Sequence, residues 1–173
     1  GVHLAGLSHC VDGHDAARLA KNLVRGSRIA VSAGAGYDAT QRGEAIFMLD
    51  GAPAEGRTVE ELEAALRAEI ERIKRDGIAA EELARVKTQT LAAQIYKRDS
   101  IFAQAMEIGR IEAVGLHWRD IDRILEKIRS VSAEEVQAVA KKYFNDDTLT
   151  VAVLDPQPLT DAPARPKPAG LRH

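Results

Sequence analysis

The sequence is poor in the features that mark disulfide-rich, membrane-spanning or nucleic-acid-binding proteins. Its 173 residues include one cysteine, Cys10, so no disulfide can form within the chain, and one cysteine is compatible with either cytoplasm or periplasm. No apolar run approaches the roughly 20 residues that a bilayer-crossing helix needs. The 24 basic and 26 acidic residues leave a net charge of −2, without the basic excess that nucleic-acid binding uses. We therefore expect neither a membrane nor a nucleic-acid partner.

Motifs that would carry catalysis are also missing. The sequence contains no G-x-S-x-G, P-loop or C-x-x-C motif, and neither H-E-x-x-H nor its inversion H-x-x-E-H. One group of metal-like residues, His9, Cys10, Asp12 and His14, has a spacing that matches no standard zinc site, so we interpret it as loop residues. The glycines within 34–38 lie inside a predicted strand, which favours close packing over a dinucleotide site. We expect no catalytic residue and no metal ligand in this chain.

Two strands are predicted early in the chain. Residues 28–37 alternate between a face of larger side chains, which includes Val31, and a face of Ala, Ser and Gly that begins with Ala30. A face this small lets a helix or another backbone approach closely. Residues 44–51 are apolar on both faces, as in a central strand, so the two segments predict an antiparallel hairpin.

Most of the remaining chain predicts helix. Apolar spacings of three and four, with capping boxes at Thr58 and Ser132 and stops at Gly77 and Gly115, indicate these boundaries. The predicted helices are His14 to about Val24, Thr58–Gly77, about 80–98, a helix capped by Asp99 or Ser100 that runs to Gly115, about 118–128 and Ser132–Tyr143. The last apolar segment, residues 148–154 (TLTVAVL), predicts a third strand. Three strands are few for the five helices that follow the hairpin to cover, so we expect strands to be missing upstream.

The chain divides into three predicted segments. Residues 1–13 are interpreted as the remnant of a truncated upstream element, because the sequence begins with Gly1 and not with Met. Residues 14–155 form the domain. Residues 156–173 hold five of the six prolines and predict an extended or disordered tail.

Three segments, in order, show a pattern found together in one family: NLVRGSRIAVSAGAGYDA (22–39), FMLDGAPAEGRTVEELEAALRAEIERIKRDGIAAEELARVKTQTLAA (47–93) and RILEKIRSVSAEEVQAVAKKYFNDDTLTVAVLDP (123–156). They resemble the pitrilysin/insulinase-like zinc peptidases, the inverzincins, which include the mitochondrial processing peptidases. The resemblance covers roughly residues 14 to 156. It implies an α/β (α+β) fold in which helices are layered on one face of an antiparallel-rich sheet.

The resemblance also implies a function for a longer parent protein. Family members consist of two similar halves, and the zinc motif H-x-x-E-H lies in the first, where two His and a Glu hold zinc and the motif's Glu acts as general base. This chain resembles most of the second half. We therefore expect it to form one wall of the peptide-binding cavity of a zinc-dependent endopeptidase and to be inactive alone. Its partners would be a peptide substrate and the N-terminal half of the same protein or a partner subunit.

The same resemblance singles out candidate cavity-facing residues. Some second halves carry an Arg and, about seven residues later, a Tyr that contact the substrate. Arg25 matches the Arg, but Ser32 stands where the Tyr is expected, and Tyr37 lies too far along to replace it. The chain is therefore more similar to the second half of a zinc-bearing subunit whose partner supplies the pair. Arg25, Ser32 and Tyr37 are the candidates for contact with substrate.

Two other interpretations stay open. Some relatives keep the fold and lose the zinc site, so the chain could instead belong to a non-catalytic structural or assembly subunit. An independent helical interaction domain is the third interpretation. A truncated half should expose an unsatisfied sheet edge, so we also expect self-association or strand exchange, that is, a homo-oligomer.

Overall fold

The computed structural model describes residues 2–12 and 17–157 of the chain, and this part is a helix-dominated α/β fold. In chain order its elements are α1 (Val2–Asp12), a π-helix (Ala20–Gly26), β1 (Ala30–Gly36), β2 (Met48–Pro53), α2 (Val59–Asp76), α3 (Ala80–Lys97), α4 (Ile101–Ala113), α5 (Asp120–Ser130), α6 (Ala133–Tyr143) and a 3₁₀ helix (Asp146–Thr148). The predicted class, helices packed on an antiparallel sheet, is confirmed.

The sheet is the predicted antiparallel hairpin of β1 and β2, but its faces differ from the prediction at one point. The register pairs Ala30 with Pro53 and then Ser32 with Ala52, so Val31 forms a β-bulge. A bulge adds one residue to a strand and reverses the alternation beyond it. Consequently Ala30, 3% exposed, lies on the core side with Ala33 and Ala35, and Val31 is 62% exposed, whereas the predicted alternation places Val31 on the face of Ala33 and Ala35.

The core lies between the inner face of the hairpin and helices α1, α2, α3 and α6. The sheet contributes partly buried side chains that pack against this core: Ala33, Ala35 and Leu49. The most deeply buried apolar side chains come from several elements: Leu7, Cys10, Val11, Leu19, Ile73, Val136 and Ala140. Burial of such side chains is the main favourable contribution to folding, about 1.5–3 kcal/mol for each large one. The first helix is therefore an integral part of this core.

Helix boundaries follow the predicted capping residues closely. Thr58 and Ser132 each accept a hydrogen bond from the backbone of the third helical residue, and in both helices the Glu at that position bonds back, completing a capping box. Ser100 caps α4 through the amide of Ala103. Gly77 ends α2 with a φ of 75°, a conformation that favours glycine.

Two predicted elements differ from the structure. The helix expected from His14 to Val24 is a π-helix over Ala20–Gly26, and its predicted start lies outside the described residues. The strand predicted at 148–154 is wrong: a 3₁₀ helix occupies Asp146–Thr148, and residues 149–157 form no regular element. The described sheet consists of β1 and β2 alone, so residues 148–154 have β-propensity but pair with neither strand.

The predicted tail can be compared with the structure only in part. Residues 156–157 form no helix or strand, whereas 158–173 lie outside the described residues. In the described ranges no helix is long and apolar enough to cross a membrane.

Candidate functional site

The three candidate residues lie along β1 and the π-helix that precedes it. Arg25 is exposed in the last turn of the π-helix, and Ser32 is exposed on β1 just after the bulge. Tyr37 follows the other end of β1, about 16 Å from Ser32 at the usual rise of a strand. Its ring stacks on Phe47 at 6.3 Å between centroids, and Phe47 meets Phe144 edge-on at 4.8 Å. The structure therefore brings Arg25 and Ser32 to one end of the strand and Tyr37 to the other.

The π-helix ends in an unusually constrained turn. The amide of Ser27 donates to the carbonyl of Asn22 at 2.8 Å, an i to i−5 bond, and the Ser27 hydroxyl donates to the same oxygen at 3.0 Å. A side chain at Gly26 would meet the carbonyl oxygen of Lys21 at 3.0 Å. Arg28 has a φ of 53°, which is rare for a residue with a Cβ. This turn fixes how the chain enters β1.

A buried carboxylate lies beneath the π-helix. Glu69 of α2 is 2% exposed, and both its oxygens accept from the side-chain amide of Asn22 at 3.1 Å. Arg72 donates to one of them at 2.8 Å. The sequence signal was present, since Glu69 interrupts the apolar stripe of α2 between Leu66 and Ile73 at helical spacing. A charged residue on a core-facing stripe indicates a specific polar contact.

A partly buried ion pair joins the segment before the π-helix to α3. Arg18 binds both oxygens of Glu82 at 2.8 Å and donates to the carbonyl of Gly77 at 3.2 Å. The hydrogen bond with Glu82 is the main reason why the pKa of Arg18 is raised. Glu82 also supplies negative charge to the first turn of α3, as the sequence indicates, but its partner 64 residues away could not be predicted.

The described residues of the metal-like group, His9, Cys10 and Asp12, each have separate surroundings. They lie on helix α1, so their assignment to a loop is wrong, and His14 is outside the described residues. Asp12 accepts from the amide of Ala35 at 3.0 Å, and His9 Nδ1 lies 2.8 Å from the carbonyl of Ala5.

Cys10, the remaining member, is 1% exposed, and its pKa is raised to about 12 by burial and by the charge of Glu82, against a lowering by Arg18. Such a thiol is neutral at pH 7, whereas zinc and nucleophilic chemistry need the thiolate. Among residues 2–12 and 17–157 no group of three or more His, Cys, Asp or Glu could hold a metal. The described side chains therefore do not fit a zinc ion.

A shallow pocket of about 240 Å³ lies between α1 and α3. Its polar lining comes from His9, Gln89, Thr90, Gln94 and Lys97. Lys97 lies 3.8 Å from Glu107, so its charge is balanced. This pocket brings together hydrogen-bonding side chains without a reactive pair, and it is separate from the three candidates on β1 and the π-helix.

Comparison with known proteins connects this fold to proteases. Residues 4–90, half of the chain, match the model of the Peptidase M16 inactive domain. A protease from Helicobacter pylori is similar in structure, with a TM-score of 0.77 and 21% identity over 84% of this chain. The chain spans 35% of that protease, about a third of its length.

Two Bordetella structures match over a larger share of their own length. A proposed zinc protease from Bordetella pertussis Tohama I has a TM-score of 0.71 and 18% identity, covering 84% of this chain and 79% of its own. The inactive peptidase domain of a proposed zinc protease from Bordetella parapertussis has a TM-score of 0.74 and 20% identity, covering 90% and 84%. At these identities the likeness shows a shared fold. No curated protein matches the chain in sequence.

Proposed function

Because the chain belongs to the family of Peptidase M16 inactive domains, we propose that it is the non-catalytic half of a zinc-dependent endopeptidase. The match of residues 4–90 to an inactive domain is the observation that carries this proposal. The length of the chain supports this proposal. The match covers 84% of the Bordetella parapertussis inactive domain but 35% of the longer Helicobacter pylori protease.

In this proposal zinc and the general base belong to the N-terminal half, or to a partner subunit. The described residues offer no donor set for the metal, and the buried, neutral Cys10 is no substitute. When bound, zinc would activate the water that attacks the peptide. This chain's own contribution is then to enclose the peptide and to exclude bulk water from the reaction.

The surface proposed to face the peptide is the start of β1 with the end of the π-helix. Outward positions of β1 after the bulge carry Ser32, Gly34 and Gly36, and Ser32 is exposed. The carboxylates of Asp50 and Asp12 lie over Gly34, so the backbone near Ser32 is the part accessible to an extended chain. Since Asp12 already binds the amide of Ala35, peptide pairing along this edge would be confined to the part nearer Arg25. The Arg25 guanidinium would donate to a peptide carbonyl or carboxylate. Tyr37, at the far end, would line the cavity through its half-buried ring.

One surface favours the alternative, a structural or assembly subunit. Large apolar side chains are exposed where α3 meets α4: Ile95, Tyr96, Ile101, Phe102 and Met106. Exposed apolar patches of this kind mark interaction surfaces. The sequence of the parent protein upstream of Gly1 would distinguish the two functions. An intact H-x-x-E-H motif there would indicate the peptidase, and a degraded motif would indicate the scaffold.

The test measures cleavage of fluorescein-labelled casein by the 173-residue chain, by its zinc-bearing half and by the mixture. We expect no cleavage by the chain alone and zinc-dependent cleavage by the mixture. Arg25→Ala should raise KM about tenfold, the loss of one charged hydrogen bond, whereas Lys21→Ala on the same π-helix should leave it unchanged. Zinc-dependent cleavage by the pure chain would overturn the proposal, and an inactive mixture would favour the scaffold.

A further inference from the structure

The burial of Glu69 requires a physical explanation. Removing a carboxylate from water costs several kcal/mol, and an apolar residue at this position of α2 would avoid that cost. The contacts of Glu69 are specific: both oxygens receive the Asn22 amide at 3.1 Å, and Arg72, itself half exposed, donates at 2.8 Å. Of these two partners, only Asn22 lies in another element.

Asn22 is held at both its side chain and its backbone. Its amide group is bound to α2 through Glu69, and its carbonyl oxygen accepts from both the amide and the hydroxyl of Ser27. The bond from Ser27 is the i to i−5 bond that distinguishes a π-turn from an α-turn. Anchoring Asn22 to α2 therefore also fixes the residue that accepts the π-bond.

The choice between π and α register determines where Arg25 points. An α-helix advances about 100° per residue, so gaining or losing one residue in this turn rotates the following side chains by about that angle. π-turns are rare and generally occur as single insertions in an α-helix, so the register needs support from outside the segment. In the described structure Leu23 is buried in the core, and Glu69 supplies the polar support through Asn22.

We propose that Glu69 is a positioning residue: through Asn22 it holds the π-register of residues 20–26 and so aims Arg25 at the peptide. This inference rests on the proposed function, in which Arg25 contacts the substrate. Glu69 does not touch the peptide itself. Its effect on peptide binding passes through Asn22 and the Ser27 bond.

The test combines two measurements on the 173-residue chain. Amide hydrogen exchange of Ser27 reports the π-bond, and fluorescence anisotropy reports affinity for fluorescein-labelled casein peptides. The disruptive variants are Asn22→Ala and Glu69→Leu. Glu69→Gln keeps an oxygen acceptor for the Asn22 amide and is the conservative variant. Val136→Ala, which leaves a cavity at a buried position of α6, is the control for general loss of stability.

We expect both disruptive variants to lose Ser27 protection and to bind the peptides about tenfold more weakly, as Arg25→Ala does, a change of about 1.4 kcal/mol. Glu69→Gln should stay within about threefold of the wild type, and Val136→Ala should bind normally. If Glu69→Leu does not fold, Asn22→Ala and Glu69→Gln still decide the question.

The possible failures can be told apart. If Arg25→Ala weakens binding but a folded Asn22→Ala variant does not, the positioning inference is wrong and the proposed function stands. If Ser27 keeps its protection in both disruptive variants, the inference is equally wrong. If Arg25→Ala leaves affinity unchanged, the proposed contact fails, and the inference fails with it.

Discussion

Three glycines in the hairpin have different surroundings, and the differences predict how each responds to a methyl group. A Cβ at Gly51 would lie 2.9 Å from the backbone oxygen of Ser32 and 3.2 Å from the Leu62 side chain. A Cβ at Gly34 would meet the carboxylate of Asp50 at 2.9 Å. A Cβ at Gly36 would meet nothing within 4 Å. Replacing each with alanine therefore tests how tightly the hairpin packs.

The expected magnitudes follow from what can move. At Gly51 the obstacle is backbone and a buried core side chain, so the strands must shift, and overpacking of this kind costs about 1–3 kcal/mol. At Gly34 the exposed Asp50 side chain can rotate away, which costs less. At Gly36 alanine should stabilise by about 0.4–1 kcal/mol, because it lowers the entropy of the unfolded chain.

The assay is urea denaturation of the three variants, followed by circular dichroism, with the m-value checked for constancy. We expect the stability order Gly36→Ala, then Gly34→Ala, then Gly51→Ala. Thermal midpoints should follow, by roughly 2–4 °C for each kcal/mol. Equal stability of Gly51→Ala and Gly36→Ala would refute the close approach of Gly51 to the Ser32 oxygen and the Leu62 side chain.

Two further predictions concern the core and the helix ends. Burial raises the pKa of Cys10 from 9.0 to about 12, so its contribution to stability is complete below about pH 9 and is lost as pH rises toward 12. At about pH 10 the wild type should lose about 1.4 kcal/mol that Cys10→Ala does not lose, measured by urea titration at each pH, and parallel curves would contradict this. Thr58→Ala and Ser132→Ala should each cost about 1 kcal/mol by removing a capping box, whereas Ala79→Ser should gain up to about that amount, because α3 has no side-chain cap. Thermal melts check the signs, and a loss at Ala79→Ser would contradict the capping argument.

Helices with caps were predictable because their signals are local. Thr58 and Ser132 mark the starts of α2 and α6 because a Glu stands three positions after each and completes a capping box. Gly77 ends α2 because glycine readily adopts a positive φ. The hairpin was predictable for a similar reason, since alternation and the turn between the strands are both local. These elements needed no knowledge of what packs against them.

The wrong predictions concern features that depend on tertiary contacts. A bulge at Val31 shifts the alternation by one residue, and the π-turn after Asn22 shifts a helix by one, with no composition signal for either. Residues 148–154 have strand propensity, but a strand also needs a neighbouring backbone. The contacts of Arg18 with Glu82 and of Asn22 with Glu69 join residues 64 and 47 positions apart. No local pattern specifies such pairs, although a Glu on an apolar stripe indicates that one exists.

The irregular features concentrate in one short stretch. Between residues 20 and 32 the structure has a π-turn, the Arg28 φ of 53° and the β-bulge at Val31, and Arg28 is the one non-glycine residue with positive φ in the part of the chain described. Each deviation costs free energy that local backbone propensities do not offset. The cost of a strained backbone position is of order 1–3 kcal/mol. They persist because the surrounding contacts over-determine them: Glu69 holds the π-turn from α2, and the buried Ala30 holds the strand side of the bulge. A stretch held in strained geometry by a rigid core presents its side chains in one fixed arrangement, which is what the proposed peptide-facing role of this stretch requires.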